Sequence, residues 1–151
     1  MAGVPIFSRA ASRSARLLTS AQSAVRAPQS GEWSELRLLT LPATDHEGRP
    51  FLEPNSGCHQ RVDLPNGEIL LPIRYRKDAK VRDYTTIVAR CRFDGEKLTY
   101  VEHGSEFTIP RERGLYEPSI TAFGGKFYLT MRADHSAFVA RGADGLNYEP
   151  F

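Results

Sequence analysis

The sequence predicts an all-β fold, and three observations support that prediction. From residue 31 onward, short apolar runs rich in Val, Ile, Thr, Tyr and Phe are separated by turn-forming residues. No stretch beyond residue 31 has a helical period. Part of the sequence also repeats itself, with the same order of apolar runs and turns in both copies. Several short strands at this spacing indicate an all-β fold.

Eight segments have the length and composition of strands. Four dipeptides that favour tight turns lie between or after them: Asn66-Gly67, Asp94-Gly95, Gly124-Gly125 and Asp144-Gly145. We expect the two aspartates of these dipeptides to form turns rather than to act in catalysis. The predicted strands are Leu36–Leu39, Gln60–Leu64, Ile69–Tyr75, Thr85–Arg92, Lys97–Glu102, Ser119–Phe123, Phe127–Arg132 and Ala137–Arg141.

The repeat aligns residues 59–74 with residues 117–132 at a constant offset of 58. Gly67 then meets Gly125, and Arg74 meets Arg132. Each copy is a strand, a turn, a second strand and an arginine, and each continues into Val-Ala-Arg and Asp-Gly. A unit of roughly 50 residues with about four strands is typical of a β-propeller blade. One four-stranded sheet cannot cover both of its faces, whereas neighbouring blades around an axis can. The sequence therefore predicts propeller blades.

Composition separates the first 30 residues from the rest. The chain has 151 residues and a net charge of +2, yet residues 1–30 hold four arginines and no acidic residue. This segment is rich in Ala and Ser, so we expect a poorly ordered extension at 1–30 and a folded region at 31–151. The extension could also be an Arg-rich transit peptide, or follow a start codon inside a longer reading frame. It is a poor secretory signal, and the compartment stays open.

Several classes of protein and site are excluded by composition. A net charge near zero argues against a strongly basic nucleic-acid binder, and no apolar run is long enough for a membrane-spanning helix. Cys58 and Cys91 are too few for a disulfide scaffold, and we expect buried thiols rather than a bridge between them. The four histidines lack metal-ligand spacing, so no zinc site is expected. No phosphate-binding loop is present, and no cofactor is expected.

Around Glu117-Pro118-Ser119 and Arg132 the chain resembles the sialidase (neuraminidase) superfamily of β-propellers. The family pattern is Glu-Pro, a hairpin with a Gly turn, a strand ending in Arg, and then an Asp-box turn. Here Gly142–Tyr148 looks like a variant of that box, and Gly31–Ser34 resembles the end of an earlier, degraded one. The resemblance covers roughly residues 31–151.

The resemblance implies roles for two residues. Sialosides carry a carboxylate on the anomeric carbon, so these enzymes use a neutral tyrosine as nucleophile. Glu117 would accept the proton of that tyrosine, and Arg132 would bind the substrate carboxylate through its planar guanidinium. Arg74, which the repeat places opposite Arg132, would line the same cleft. His59, opposite Glu117, and His135 are expected to be turn or rim residues.

Other interpretations of the same residues stay open. Glu117 could simply begin an exposed strand, and Arg132 could form a structural ion pair with Asp134 or Glu117. Arg74 could equally be a solvated strand end. The family needs three clamp arginines, a tyrosine and an aspartate, and only one arginine and the glutamate are matched. We expect about two blades and part of a third near Trp33, a piece of a propeller that is inactive on its own.

The function predicted is therefore a sialidase-like glycoside hydrolase with a glycan partner, its sugar and linkage undefined. One alternative is another propeller glycosidase with Glu117 as acid or base. A second is a non-catalytic propeller that binds carbohydrate or protein and assembles from several chains. Open blade faces would favour self-association.

Overall fold

The computed structural model describes residues 20–24, 26–27, 29–56, 60–111 and 113–149. Within these ranges the chain forms strands and turns and no helix, so the all-β prediction is confirmed. The strands are β1 (Ser20–Ser23), β2 (Arg37–Thr40), β3 (Leu52–Asn55), β4 (Val62–Asp63), β5 (Glu68–Arg76), β6 (Tyr84–Phe93), β7 (Leu98–His103), β8 (Tyr116–Phe123), β9 (Lys126–Arg132) and β10 (Ala137–Gly142).

The strands form three antiparallel sheets that follow one another along the chain. The first sheet is the β1-β2 pair. The central sheet has the order β3-β5-β6-β7, and the short strand β4 pairs with β5 as well. The last sheet has the order β8-β9-β10. The central sheet therefore has the four-stranded path predicted for a blade, the last sheet has three strands, and the β1-β2 pair lies near Trp33.

All eight predicted strands are present within a few residues of their predicted bounds, but two strands were missed. β3 contains a glutamate and a proline and therefore lacks the alternation of apolar and polar residues that marks a strand. It also pairs irregularly with β5. β1 is a short polar segment inside the predicted extension. Residues 1–19 lie outside the described residues, and the boundary at residue 30 stays a prediction.

The central sheet is buried on both faces, which explains why its strand β5 is an almost unbroken apolar run. Alternate residues of β5 point to opposite faces. The core between the first and central sheets includes Leu39, Phe51, Leu71, Ile73, Tyr75 and Ile87. The core toward the last sheet includes Leu70, Val88, Leu115, Ile120, Leu129 and Met131. Even-numbered residues of β5, Arg74 and Arg76 among them, therefore share the face of Leu70 toward the last sheet.

The Asp-Gly turns have the structural role expected of them. The Asp144 Oδ1 atom accepts hydrogen bonds from the backbone N–H groups of Leu146 and Asn147, at 2.9 and 2.7 Å. Asp94 does the same for Glu96 and Lys97. Each carboxylate thus satisfies backbone donors within its own turn.

The turn after Asp144 also ties the last sheet to the central one. The Ser105 N–H donates to the Leu146 carbonyl at 2.9 Å. A Cβ atom at Gly104 would lie 2.1 Å from that carbonyl oxygen, so only glycine permits the approach.

Two further expectations concern the cysteines and the membrane. Cys58 lies outside the described residues, and burial raises the pKa of the Cys91 thiol to about 12. Whether the two pair stays untested. Among the residues that the structure describes, no helix is long and apolar enough to cross a membrane.

Candidate functional site

Glu117 lies at a β-bulge near the start of β8. The pairing of β8 with β9 shifts between Tyr116 and Ser119, and the Glu117 backbone has a φ of 49°. This left-handed conformation costs a residue with a Cβ atom about 1–2 kcal/mol. Such strained positions persist where the surrounding structure enforces them, often at functional sites.

The bulge brings Glu117 to Arg132, as the sequence predicted. The Arg132 Nη1 atom donates a hydrogen bond to the Glu117 Oε2 atom at 3.0 Å. Both side chains are about half exposed. Interaction with Glu117 raises the pKa of Arg132, which stays fully charged. The two residues share one end of the last sheet; their roles stay a prediction.

Behind this pair, Tyr116 is fixed by two charged neighbours. Its hydroxyl donates to the Asp134 Oδ1 atom at 2.7 Å and accepts from the Arg113 Nη2 atom at 2.7 Å. Arg113 and then Tyr116 lower the pKa of Asp134 to about 2. Burial and the hydrogen bond to Asp134 raise the pKa of Tyr116. Tyr116 is therefore a neutral hydroxyl that holds neighbouring charges in place.

Arg74 reaches the same region from the central sheet. Its guanidinium carbon lies 4.1 Å from the centre of the Tyr84 ring, and the Tyr84 and Tyr116 rings are 6.1 Å apart. Arg132 in turn lies 5.4 Å from the Tyr116 ring centre. The rings of Tyr84 and Tyr116 thus lie between Arg74 and Arg132. Within the described part of the chain, no carboxylate lies within ion-pair distance of Arg74.

We call this group the arginine–tyrosine cluster. It combines three guanidinium groups with two carboxylates, an excess of one positive charge. Its residues are Arg74, Tyr84, Arg113, Tyr116, Glu117, Arg132 and Asp134.

A glycine allows the two sheets to meet at this cluster. The backbone of Tyr84 exchanges hydrogen bonds with the segment before β8, from the Tyr84 N–H to the Arg113 carbonyl at 2.8 Å and from the Leu115 N–H to the Tyr84 carbonyl at 3.0 Å. Gly114, between them, has a φ of 69°, and a Cβ there would lie 2.3 Å from the Tyr84 oxygen. The close contact sets Arg113 and Tyr116 beside Tyr84.

The strand register corrects the repeat alignment. In the central sheet Leu52 of β3 pairs with Arg76 of β5, and in the last sheet Tyr116 of β8 pairs with Arg132 of β9. In both sheets the pairing register shifts directly after this pair. Glu53 has a φ of 51°, and its carboxylate accepts from the Arg76 Nη1 atom at 3.3 Å.

The structural counterparts of Glu117 and Arg132 are therefore Glu53 and Arg76. The correspondence with His59 and Arg74 is wrong, because the first copy has a longer connection between β3 and β5 than a constant offset allows. The repeated Glu-Pro dipeptide, at Glu53-Pro54 and Glu117-Pro118, is the sequence signal that could have revealed the true pairing.

His135 follows Asp134 of the cluster in the sequence, and Tyr148 lies in the turn after β10. His59 lies outside the described residues, and His135 is exposed. The Tyr148 hydroxyl donates to the Gly145 carbonyl at 2.8 Å, and burial raises its pKa.

A second polar cluster lies on the opposite face of the central sheet, and sequence reasoning missed it. Lys77 follows β5, and its Nζ atom lies 2.8 Å from Glu106 Oε2 and 3.3 Å from Asp45 Oδ2. The Tyr75 hydroxyl donates to the Asp45 Oδ2 atom at 3.0 Å. Although burial opposes ionisation, hydrogen bonds and the Lys77 charge hold the pKa values of Asp45 and Glu106 below their usual range. Burial and the two carboxylates raise the pKa of Tyr75 far above its usual value.

Two histidines complete this second group. The His103 Nε2 atom lies 3.2 Å from the Glu106 Oε1 atom, and the His46 ring stacks on the His103 ring at 4.0 Å. They border a cavity of about 370 Å³. We call the group the histidine–carboxylate cluster; its residues are Asp45, His46, Glu47, Tyr75, Lys77, His103 and Glu106. His46 lies in the turn before β3 and His103 is the last residue of β7, so their spacing in the sequence gives no sign of their proximity.

Comparison with known proteins gives similarity in structure alone. No family model and no curated protein sequence matches the chain. Solved structures of Trypanosoma rangeli sialidase are similar: the enzyme itself has a TM-score of 0.60 at 17% identity, over 86% of this chain and 21% of that chain. The same sialidase in complex with the inhibitor DANA gives a TM-score of 0.59 at 18% identity, with the same coverage of both chains.

A third structure is the sialidase with 2,3-difluorosialic acid, described as a covalent intermediate, with a TM-score of 0.59 at 17% identity. The chain thus spans about a fifth of the length of the sialidases that it matches. At this identity the likeness concerns the fold. The three sheets and their order, together with this likeness, give the chain a partial sialidase-like fold.

Proposed function

We propose that the chain supplies part of the sugar-acid binding face of a sialidase-like glycoside hydrolase. The observation that supports this most is the pairing of Glu117 with Arg132 at 3.0 Å. Beyond the rings of Tyr116 and Tyr84 lies Arg74, whose guanidinium has no ion-pair partner among the described residues. A bulge and two aromatic rings hold these groups at one end of two adjacent sheets. The cluster carries an excess positive charge where an anionic sugar would bind.

Arg132 and Arg74 would bind the substrate carboxylate. A guanidinium offers two parallel donors to a carboxylate and stays charged at any physiological pH. Arg74 lies over Tyr84, and among the described residues no carboxylate within ion-pair distance competes for its guanidinium. Arg132 would either replace its contact with Glu117 by one with the substrate carboxylate or keep both contacts. The Glu117 side chain is also exposed.

Glu117 would orient Arg132 and accept a proton during catalysis. The strained bulge supports this proposal, because it fixes a carboxylate that an ordinary strand would point elsewhere. Neither Tyr116 nor Tyr148 is suited to be the nucleophile that Glu117 would activate. Both are hydrogen-bonded, and the pKa of each is raised. We therefore propose that this chain on its own binds a sugar acid without hydrolysing a glycoside.

The test is calorimetric titration with free sialic acid, with its uncharged methyl ester as the control ligand. We expect binding of the acid alone, weakened about tenfold or more in Arg132→Ala and Arg74→Ala, because a hydrogen bond between charged groups is lost. Arg141→Ala is the matched control. Arg141 is an exposed arginine of the same sheet, paired with Glu149 at 2.6 Å.

A fluorogenic sialoside assay on the same proteins should give no signal. Equal binding of acid and ester, or equal damage by Arg141→Ala, would refute the binding face. Turnover by the parent that is lost in both Glu117→Gln and Arg132→Ala would refute the claim of inactivity and keep the site.

A further inference from the structure

We propose that His46, His103 and Glu106 form a binding site for Zn²⁺ or a similar borderline divalent cation. The site belongs to the histidine–carboxylate cluster and is independent of the proposed sugar-acid binding face. One nitrogen from each histidine and one oxygen of Glu106 all lie within 4.8 Å of one another. Two imidazoles and one carboxylate are a donor set that zinc prefers in proteins.

The distances from Glu106 to the two histidines are close to what a tetrahedral ion needs, and the histidine nitrogens lie within 4.8 Å of each other. Ligands bound to zinc at about 2.1 Å lie about 3.4 Å from each other at tetrahedral angles. The Glu106 Oε1 atom lies 3.2 Å from His103 Nε2 and 3.6 Å from His46 Nδ1. The cavity beside them leaves a fourth position open to water or a small anion.

Neighbouring groups orient two of the three ligands. The His103 Nδ1 atom lies 2.7 Å from the Tyr100 hydroxyl, so the Nε2 atom is the one that faces Glu106. The other carboxylate oxygen of Glu106 accepts a hydrogen bond from Lys77 at 2.8 Å. Metal-binding histidines and carboxylates are commonly held this way by a second hydrogen bond.

Charge and burial favour a cation at the histidines of the cluster rather than among its carboxylates. Lys77 lies within ion-pair distance of Asp45, Glu47 and Glu106 and fills the space that a cation among the carboxylates would need. His103 is 2% exposed in its side chain and Glu106 10%, which protects two ligands from competition by water.

His46 is the adjustable ligand. Its ring is nearly parallel to that of His103, at 11°, and an ion shared by both must lie near both ring planes. The His46 ring must therefore turn on binding. Its side chain is 59% exposed, so solvent lies on its far side and leaves room for the turn.

The test is titration of the untagged protein with Co²⁺, whose visible absorption distinguishes four-coordinate from six-coordinate sites, followed by displacement with Zn²⁺. We expect one equivalent of Co²⁺ with strong four-coordinate bands that Zn²⁺ removes. His46→Ala changes an exposed residue and should leave the circular dichroism spectrum intact while weakening binding at least tenfold. Glu106→Gln should weaken it similarly, since it keeps the shape and removes the charged donor.

His135→Gln is the matched control, an exposed histidine outside the site, and should bind like the parent. Absence of four-coordinate bands in the parent would overturn the proposal. So would binding that His46→Ala leaves unchanged, or binding that His135→Gln abolishes.

Discussion

The two polar clusters lie on opposite faces of the same sheet and balance their charges in opposite ways. In the histidine–carboxylate cluster, Asp45 is fully buried, Lys77 is 13% exposed, and both have several partners. In the arginine–tyrosine cluster, Arg132 and Glu117 are about half exposed, and Arg74 packs on an aromatic ring with no ion-pair partner in the part of the chain that the structure describes.

This difference follows from desolvation. A buried charge must find its compensation inside the protein, because leaving it unpaired costs several kcal/mol. An exposed charge is solvated by water and screened by salt, so an incomplete set of partners costs little. The buried cluster is therefore expected to matter for stability, and the exposed cluster for binding.

The largest effect that separates the two clusters is expected from Lys77→Met. This change removes the ammonium that compensates Asp45 and Glu106, and it should lower the free energy of unfolding by about 3 kcal/mol. The measurement is urea denaturation at neutral pH. Arg132→Met, which breaks an exposed pair on the other face, is the matched control and should leave the unfolding midpoint nearly unchanged. Equal effects of the two substitutions would contradict the comparison.

A smaller effect concerns the pH range over which the arginine–tyrosine cluster keeps its charges. The Asp134 pKa is lowered to about 2 by Arg113 and Tyr116, so the folded state holds this proton less tightly than the unfolded state. The stability it contributes is present above pH 3.8 and is lost as the pH falls through about 2. Arg113→Ala should move the Asp134 pKa most of the way toward 3.8, as measured by NMR titration of the carboxyl carbon. Arg141→Ala should leave it in place. An Asp134 pKa that stays unchanged in Arg113→Ala would contradict the assignment of the shift mainly to Arg113.

Much of the fold could be predicted from the sequence because its strands follow simple patterns. Apolar runs ending in Asn-Gly, Asp-Gly or Gly-Gly identify hairpins directly, and these glycines have the positive φ that such turns require. Strand β3 could not be found this way, since it is held by a bulge at Glu53-Pro54 rather than by an apolar face. Strand β1 is too short and polar to stand out from the segment before it.

The candidate site was predictable only as far as it lies within one hairpin. Glu117 and Arg132 flank the β8-β9 hairpin, so their proximity follows from strand pairing. Arg113, Tyr84 and Asp134 join them through loops and through the contact at Gly114, which no local pattern encodes. The histidines of the second cluster likewise meet through tertiary packing, since His46 lies in a turn and His103 at the end of β7.

The smallest expected effect concerns the backbone strain at the Glu117 bulge. Two substitutions of this residue should differ in stability but not in binding. Glu117 has a φ of 49°, which alanine also finds unfavourable and glycine does not. Glu117→Gly should therefore be about 1 kcal/mol more stable to urea than Glu117→Ala, even though both lose the carboxylate. Both variants should bind sialic acid equally poorly.

Two controls make that comparison specific to the bulge. Glu53, at the equivalent bulge of the central sheet with a φ of 51°, should show the same order of stability for its glycine and alanine variants. Thr121, an exposed residue within β8, should show the reverse order, because glycine weakens an ordinary strand. If alanine is as stable as glycine at both bulges, the backbone relaxes without cost and no strain holds Glu117 toward Arg132. If glycine is the more stable variant at the two bulges and alanine the more stable one at Thr121, the carboxylate of Glu117 is held there at a cost in stability, as expected for a residue kept for binding.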